Sequence, residues 1–269
     1  MITNAQIEHN LGKAYYLRTA NPRNLTAPVS KSLLWDFNES PYKWRHSSGK
    51  EVTKAMDLGT LIHSAILEPE TALTDITAVS PFPNFRTKAA QEWRDDQREM
   101  GRMIATDADI RAASGCEQVF SEDYAQRFGV GYKSEVAVFA EIGATQIKGM
   151  IDLVPDNLDL LVDLKTTERS GSLFDIQRTI ISRGLHWQAA LYLDLWNAAS
   201  GENRNRFVFC FIEVSEPYET AWVEVSRELI EAGRAGYMNA LAKWQSCVAI
   251  DAWPRQHEGI TLIEKPAYL

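Results

Sequence analysis

Two aspartates and a lysine are the residues whose types and spacing best suit catalysis in this chain. Asp152 lies near the end of an apolar stretch that begins at Gln146, and Pro155 and its neighbours follow as turn residues. A second apolar run then carries Asp163 and Lys165. Two apolar runs joined by turn residues predict a β-hairpin. Since side chains alternate across a strand, Asp163 and Lys165 share one face, and Asp152 can lie beside them on the partner strand.

Two carboxylates and an ammonium that converge in this way suit hydrolysis of a phosphodiester. Mg²⁺ prefers oxygen ligands and keeps several waters, so paired carboxylates with a substrate phosphate form a site that it accepts. The Lys165 ammonium would then be available to the attacking water. An exposed hairpin with a salt bridge is the alternative interpretation, because charged strand faces are common. Further motifs are needed to decide.

Two predicted helices carry the next candidates. The segment around His63 is apolar nearly all round, which predicts a buried helix. A buried imidazole needs a partner for each ring nitrogen, and either a metal ion or ordinary core groups can supply it. In the second helix, Gln188 and Tyr192 lie one turn apart on one face, where a tyrosine can also serve packing alone.

In this order the motifs GTxxH, D…DxK and QxxxY resemble the PD-(D/E)XK nuclease superfamily, in its RecB-like branch. From about residue 28 to the end, the chain also resembles nuclease domains of the RecE (exonuclease VIII) type. The segments that carry this second resemblance are Val29–Pro41, Met56–Pro69, Asn84–Lys88, Val162–Thr167 and Trp253–Pro254. Both resemblances imply an α/β (α+β) fold with a restriction-endonuclease-like core, in which helices flank a mixed central sheet.

The resemblance also implies a function and a set of site residues. Nucleases of this type degrade one strand of duplex DNA from its 5′ end and leave a 3′ overhang for a single-strand annealing partner in phage recombination. The motifs then supply three metal ligands, a water-activating lysine and two active-site supports: His63, Asp152 and Asp163, then Lys165, then Gln188 and Tyr192. Mg²⁺ is the expected cofactor, and Mn²⁺ should substitute because one ligand is a histidine.

Glu135 lies on the strand before the hairpin, where related enzymes often carry a glutamate. It is either part of the metal-site periphery or a simple charge on a strand face. Two other functions also remain open. A PD-(D/E)XK endonuclease could use the same residues, because they perform the chemistry without choosing ends over interior sites. A non-catalytic DNA-binding module is the other, although every motif position is intact.

The basic surface that would contact DNA is harder to place, because the net charge is −8. Nonspecific DNA affinity comes largely from cations that neutralise phosphates, although a bound metal reverses the sign of an acidic site. Five cations alternate with acids in one segment, and they form either a salt-bridged surface or a row that faces DNA. These candidates are Arg86, Lys88, Arg94, Arg98 and Arg102, of which the last three follow an i, i+4, i+8 row.

Length and composition suit one large domain, with 269 residues and a hydrophobic share of 45%. We expect residues 28–269 to form that domain and the polar residues 1–27 to be an extension or an oligomer contact. No stretch approaches the length of a membrane span, and the start lacks a signal-peptide pattern. The expected location is therefore the cytoplasm of a bacterial or phage-infected cell, without membrane contact. Three cysteines cannot build the four-cysteine iron-sulfur cluster of some relatives.

The expected partners are double-stranded DNA ends, an annealing protein and further copies of this chain, most simply in a tetrameric ring. Hydrophobic periodicity predicts the secondary structure that would support these functions. Strands are expected near 134–141, 146–154, 159–165, 206–214 and 220–225. Helices are expected at 87–100, 107–127, from Ser226 to about Cys247, and over a short segment that is capped by Ser30 or Ser32 and stops before Pro41.

Overall fold

A mixed sheet of seven strands lies at the centre of the described part of the chain. The computed structural model describes residues 1–8, 21, 24–47, 54–69, 77–168, 172–257, 259–260, 262 and 264–265. The sheet strands are β1 Ile2–Glu8, β2 Val29–Ser30, β5 Tyr132–Ile142, β6 Thr145–Pro155, β7 Leu160–Thr167, β8 Arg206–Glu213 and β9 Thr220–Glu224. Two short strands, β3 Thr77–Val79 and β4 Met103–Ala105, pair with each other.

Helices cover both faces of the sheet. Their bounds are α1 Lys31–Glu39, α2 Pro41–His46, α3 Lys54–Leu67, α4 Lys88–Glu99, α5 Asp107–Phe128, α6 Leu173–Ser182, α7 Leu185–Ser200 and α8 Arg227–Ile250. Polar side chains cap several of them, as when Ser30 accepts from the Leu33 amide and Thr106 forms a capping box with Asp109. None of the described helices is both long and apolar enough to cross a membrane.

The strand order is β1-β5-β6-β7-β8-β9, and β2 pairs with β6. The β5–β6 and β6–β7 pairs are antiparallel, as tight connections allow, whereas β7 and β8 are parallel. Parallel neighbours need a crossover connection, and α6 with α7 forms it. The crossover therefore brings α7 over the strands that carry the predicted aspartates.

Two hydrophobic clusters bury the two faces of the sheet. The α7-side cluster packs residues of α1, α7 and α8 against strand residues that include Val136, Ile151, Leu161, Phe207 and Phe209. The α5-side cluster packs residues of α3 and α5 against strand residues that include Leu153, Val162, Leu164, Val208 and Cys210. Along β7 and β8 the two sets alternate, as expected for strands buried on both faces.

The predicted α/β architecture is confirmed, and the five expected strands and the expected helices are present close to their predicted bounds. The structure adds β1, α2, α6 and the β3–β4 pair, which the sequence patterns did not predict. Residues 1–27 were expected to be an extension or an oligomer contact, and within them Ile2–Glu8 pairs with β5 as an edge strand of the sheet. Three of its apolar side chains, Ile2, Ala5 and Ile7, pack against the α7-side cluster.

Candidate active site

Asp152 and Asp163 lie opposite each other at a fork between β6 and β7. The two strands pair at Leu153 and Val162, which places the aspartates at the next position along the ladder. In place of a further backbone pair, the Asp152 Oδ2 accepts a hydrogen bond from the Leu164 amide at 2.8 Å. The carboxylate thus satisfies a buried backbone donor, which would otherwise be costly to leave unpaired. Both aspartates are buried.

Asp163 is held from two sides. Lys165 on the same strand forms an ion pair with its Oδ1, and the Gln188 amide on α7 donates to its Oδ2. Gln188 is buried, whereas the Lys165 side chain keeps 23% of its surface exposed. Asp163 and Lys165 therefore share one face of the strand, as predicted. Lys165 is the member of this group that can reach solvent.

Glu135 lies on β5, directly opposite Asp152 on the paired strand β6. The pairing of β5 with β6 keeps one register from Ser134 to Val136, so Glu135 falls opposite Asp152. Its φ of 48° lies in the left-handed region, which is uncommon for a residue other than glycine and costs on the order of 1–3 kcal/mol.

On β5 and β6, the side chains switch to the opposite face of the sheet at Glu135 and Asp152. On β6, Ile151 belongs to the α7-side cluster, while Leu153 belongs to the α5-side cluster, although residues two apart normally face the same way. On β5, Val136 packs in the α7-side cluster, whereas the Ser134 hydroxyl donates to the Leu67 carbonyl at the end of α3. The reversal brings Glu135 and Asp152 to the edge of α3, where His63 lies.

His63 reaches the fork from α3. Its Nδ1 lies 3.9 Å from the Asp152 Oδ2, and 28% of the side chain is exposed. The helix was predicted to bury this residue, but His63 is half-buried, whereas its neighbours Leu61, Ile62 and Ile66 are buried. The apolar residues Leu61, Ile62 and Ile66 pack in the α5-side cluster, whereas His63 lies against the Asp152 carboxylate.

Among the residues that the structure describes, His63, Glu135 and Asp152 form a group that could hold a metal ion. One ligand atom of each lies within 4.8 Å of the others. A histidine nitrogen with two carboxylate oxygens is a donor set that Mn²⁺ and Mg²⁺ accept, so these residues fit a divalent cation. The ligand set implied by the sequence was His63, Asp152 and Asp163. In the structure Glu135 completes the compact group, while Asp163 is bound by Lys165 and Gln188.

Burial governs the proton affinities at the fork. Burial, reinforced by the charge of Asp152, raises the pKa of Asp163 to about 7, against the lowering effect of Lys165. Burial also raises the pKa of Asp152, although Lys165 and the Leu164 amide lower it. For Lys165, burial would lower the pKa, but the charges of Asp163 and Asp152 raise it above its usual value. Carboxylates in this state favour a cation, because a positive charge reduces the cost of ionising both.

A comparison with protein-family models identifies the family of this chain. The family model of a "PDDEXK-like domain of unknown function (DUF3799)" matches residues 30–266. The chain belongs to this family. No curated protein gives a significant match to this chain.

Two solved structures are similar to this PDDEXK-like domain. A "Putative exonuclease" from Eubacterium rectale superposes with a TM-score of 0.63 at 14% identity, and the alignment covers 96% of each chain. A phage related exonuclease from Haemophilus somnus 129PT gives a TM-score of 0.36 at 13% identity, over 62% of this chain and 85% of that one. The first likeness shows that the PDDEXK-like domain shares its fold with the Eubacterium rectale protein.

Tyr192 lies one turn after Gln188 in the PDDEXK-like domain and is half-buried. Its ring covers Gly149 on β6, where an added Cβ would come within 3.0 Å of the ring. The glycine therefore permits α7 to approach the strand that carries Asp152. Within the QxxxY pair, Gln188 contacts a carboxylate, whereas the Tyr192 ring packs between α7 and β6.

The predicted DNA-facing row is not continuous in the structure, because α4 ends at Glu99 and Arg102 lies beyond it. Four of the five cations are also held locally: Lys88 by Glu92, Arg94 by Asp95, Arg98 by Asp57 and Arg102 by Gln97. These contacts correspond to the salt-bridged alternative. Arg86 lies on the loop before α4, and its backbone amide donates to Asn84.

Arg183 is a residue that the sequence patterns did not single out. It is the last residue before the turn into α7, and its charge influences the pKa of Lys165. The only sequence signal is its spacing of five residues before Gln188, which would have had to be combined with the prediction of α6.

Proposed function

We propose that this PDDEXK-like domain is a divalent-metal-dependent exonuclease. In this proposal it degrades one strand of duplex DNA from the 5′ end and leaves a 3′ overhang for strand annealing in phage-type recombination. One observation carries the nuclease proposal: a compact group of His63, Glu135 and Asp152 lies directly beside the Asp163–Lys165 pair. A metal donor set next to a lysine that reaches solvent is the arrangement required for hydrolysis of a phosphodiester.

Each residue at the fork has a separate task in this mechanism. His63, Glu135 and Asp152 would hold Mg²⁺, or Mn²⁺ in its place, which supplies charge to polarise the phosphate and to acidify a bound water. Lys165 orients the attacking water from the solvent side and neutralises charge that develops on the phosphate.

Asp163 and Gln188 act on Lys165 rather than on the phosphate directly. Asp163 fixes the ammonium by an ion pair, and Gln188 fixes the Asp163 carboxylate from α7. A catalytic group that is held in this way loses little freedom when the substrate binds. The crossover helix therefore contributes to the geometry of the site although it supplies no metal ligand.

Two lines of support favour an exonuclease with 5′ polarity. The motif order and the flanking segments resemble nucleases of the RecE type, from which the polarity and the annealing partner are taken. The protein from Eubacterium rectale that shares this fold is named as a "Putative exonuclease". The catalytic residues alone do not distinguish cleavage at ends from cleavage at interior sites.

A linear duplex with different labels at the 5′ and 3′ ends of one strand tests the proposal. We expect Mg²⁺-dependent loss of the 5′ label as mononucleotides, with the 3′ label retained on long fragments, and no cleavage of covalently closed circular DNA. Release of the 3′ label first would overturn the polarity. Cleavage of the closed circle would favour an endonuclease, and DNA binding without cleavage under Mg²⁺ or Mn²⁺ would favour a non-catalytic module.

A further inference from the structure

The turn between α6 and α7 holds Arg183 in a defined position beside the fork. Gly184 follows it with a φ of 60°, in the left-handed region, and a Cβ at this position would collide with the Trp35 ring. The buried Lys31 donates from its Nζ to the Arg183 carbonyl at 2.6 Å. Two contacts from α1 therefore fix the backbone of this turn.

The Arg183 side chain, in contrast, is exposed. Within the described ranges, its guanidinium takes part in no ion pair and no side-chain hydrogen bond. Its charge also lowers the pKa of Lys165. Gly184, which follows Arg183, accepts at its carbonyl from the Gln188 amide at 3.4 Å, so Arg183 lies next to the first turn of the helix that covers the fork. The turn therefore presents an available cation at the edge of the site.

An acidic chain gains little long-range attraction for DNA, so a local cation at the site would strengthen binding. Lys165 is already paired with Asp163, and the cations of α4 are held by local partners. The fork itself is rich in carboxylates, which repel phosphates other than the one that a bound metal would receive. A planar guanidinium forms bidentate hydrogen bonds with phosphate oxygens and keeps its charge at all ordinary pH values.

Resting on the proposed nuclease function, we propose that Arg183 binds the backbone phosphate next to the scissile one. It is a substrate-positioning residue, because it holds the strand without touching the reacting atoms. Lys31 and Gly184 act through it by fixing the turn. The ligand class is a nucleic-acid phosphodiester.

Binding of a fluorescent duplex of about 20 base pairs to the full chain tests this role. Ca²⁺ replaces Mg²⁺, because it fills oxygen sites with poor turnover in such enzymes. We expect Arg183→Ala to weaken binding about tenfold and to reduce the slope of log affinity against log salt by about 0.9, the value of one phosphate contact. Arg183→Lys should keep most of the slope. The melting temperature should not change, because the exposed guanidinium contributes no contact to the described fold.

Arg227→Ala is the matched control. Arg227 is also exposed, and it lines a cavity that Asn197, near the C-terminal end of α7, also lines. Asn197 is about 13 Å of helical rise from Gln188. An unchanged affinity and slope in Arg183→Ala, or equal losses in both alanine variants, would overturn the proposal. If Arg183-dependent binding persists without hydrolysis under Mg²⁺ or Mn²⁺, the phosphate contact of Arg183 stands, whereas the nuclease proposal and the position next to a scissile phosphate fail. If hydrolysis occurs without any Arg183 dependence, the nuclease proposal stands and the Arg183 proposal fails, and a chain that does not bind DNA contradicts both.

Discussion

Asp152 and Asp163 differ in their surroundings, although they lie opposite each other. Asp152 contacts the Leu164 amide and faces His63 and Glu135, whereas Asp163 is occupied by Lys165 and Gln188. Residue types and spacing were sufficient to predict that these groups meet. They could not show that Glu135 joins His63 and Asp152 in a group that could hold a metal ion, because strand periodicity does not predict the left-handed backbone of Glu135.

The first prediction concerns Asp152, Asp163 and Lys165. Replacement of any one by Ala should reduce Mg²⁺-dependent DNA hydrolysis by about a hundredfold or more, because residues that act as one unit show similar and non-additive losses. Steady-state rates with a linear duplex measure this effect. Lys133→Ala and Asp156→Ala change exposed residues on neighbouring segments and should retain wild-type rates. Near-normal turnover in Lys165→Ala would contradict its assigned role.

The second prediction separates metal binding from DNA binding. His63→Ala and Glu135→Gln should each weaken Mn²⁺ affinity by about tenfold or more, because loss of a ligand or a support costs this much in metal sites. Their affinity for duplex DNA without metal should change far less. Calorimetric titration with Mn²⁺ measures the first quantity, and His257→Ala, at an exposed position, is the control. Unchanged Mn²⁺ affinity in Glu135→Gln would return Glu135 to a simple strand-face charge.

At the scale of elements, the predictable parts are those with strong periodicity. The hairpin of β6 and β7 and the long helices α5, α7 and α8 follow from their apolar patterns. β1 was missed because a register shift between Thr3 and Gln6 breaks its alternation. The face reversal at Glu135 could not be predicted, because strand periodicity assumes that alternation continues.

The third prediction concerns the crossing of α7 and α8. A Cβ at Gly233 would collide with the His186 backbone carbonyl, so the glycine permits close approach of the two helices. By helix propensity alone, Gly233→Ala would stabilise the protein by about 1 kcal/mol. We expect instead a loss of about 1–3 kcal/mol from overpacking. Urea denaturation measures the sign, and Ala235→Gly, at an exposed position of the same helix, should cost about 1 kcal/mol.

At the scale of the whole molecule, the acidic charge raises the question of how the proposed nuclease would stay on DNA. Long-range attraction of phosphates is weak for a chain with a net charge of −8. Retention by enclosure of the duplex is an alternative that requires no net positive charge. Heterologous contacts that close around an axis would build such an assembly.

The fourth prediction is therefore a homotetrameric ring. Light scattering should give the mass of four chains at micromolar concentration, and digestion of a long linear duplex should continue after an excess of trap DNA is added. A monomeric mass together with immediate arrest by the trap would contradict the ring. The nuclease proposal would not be affected by that outcome, because the residues at the fork belong to one chain.

The hydrogen bond from the Leu164 amide to Asp152 allows hydrogen exchange at Leu164 to report on the group of His63, Glu135 and Asp152. A proton in this bond is protected from exchange with solvent for as long as the carboxylate stays in place. We therefore expect deuterium uptake at Leu164 to be about tenfold faster in Asp152→Ala, whereas Glu135→Gln should leave it unchanged. Uptake that also slows on addition of Mn²⁺ to the wild-type chain would mean that the ion and the strand stabilise each other. Occupancy could then be followed by mass spectrometry in the absence of DNA.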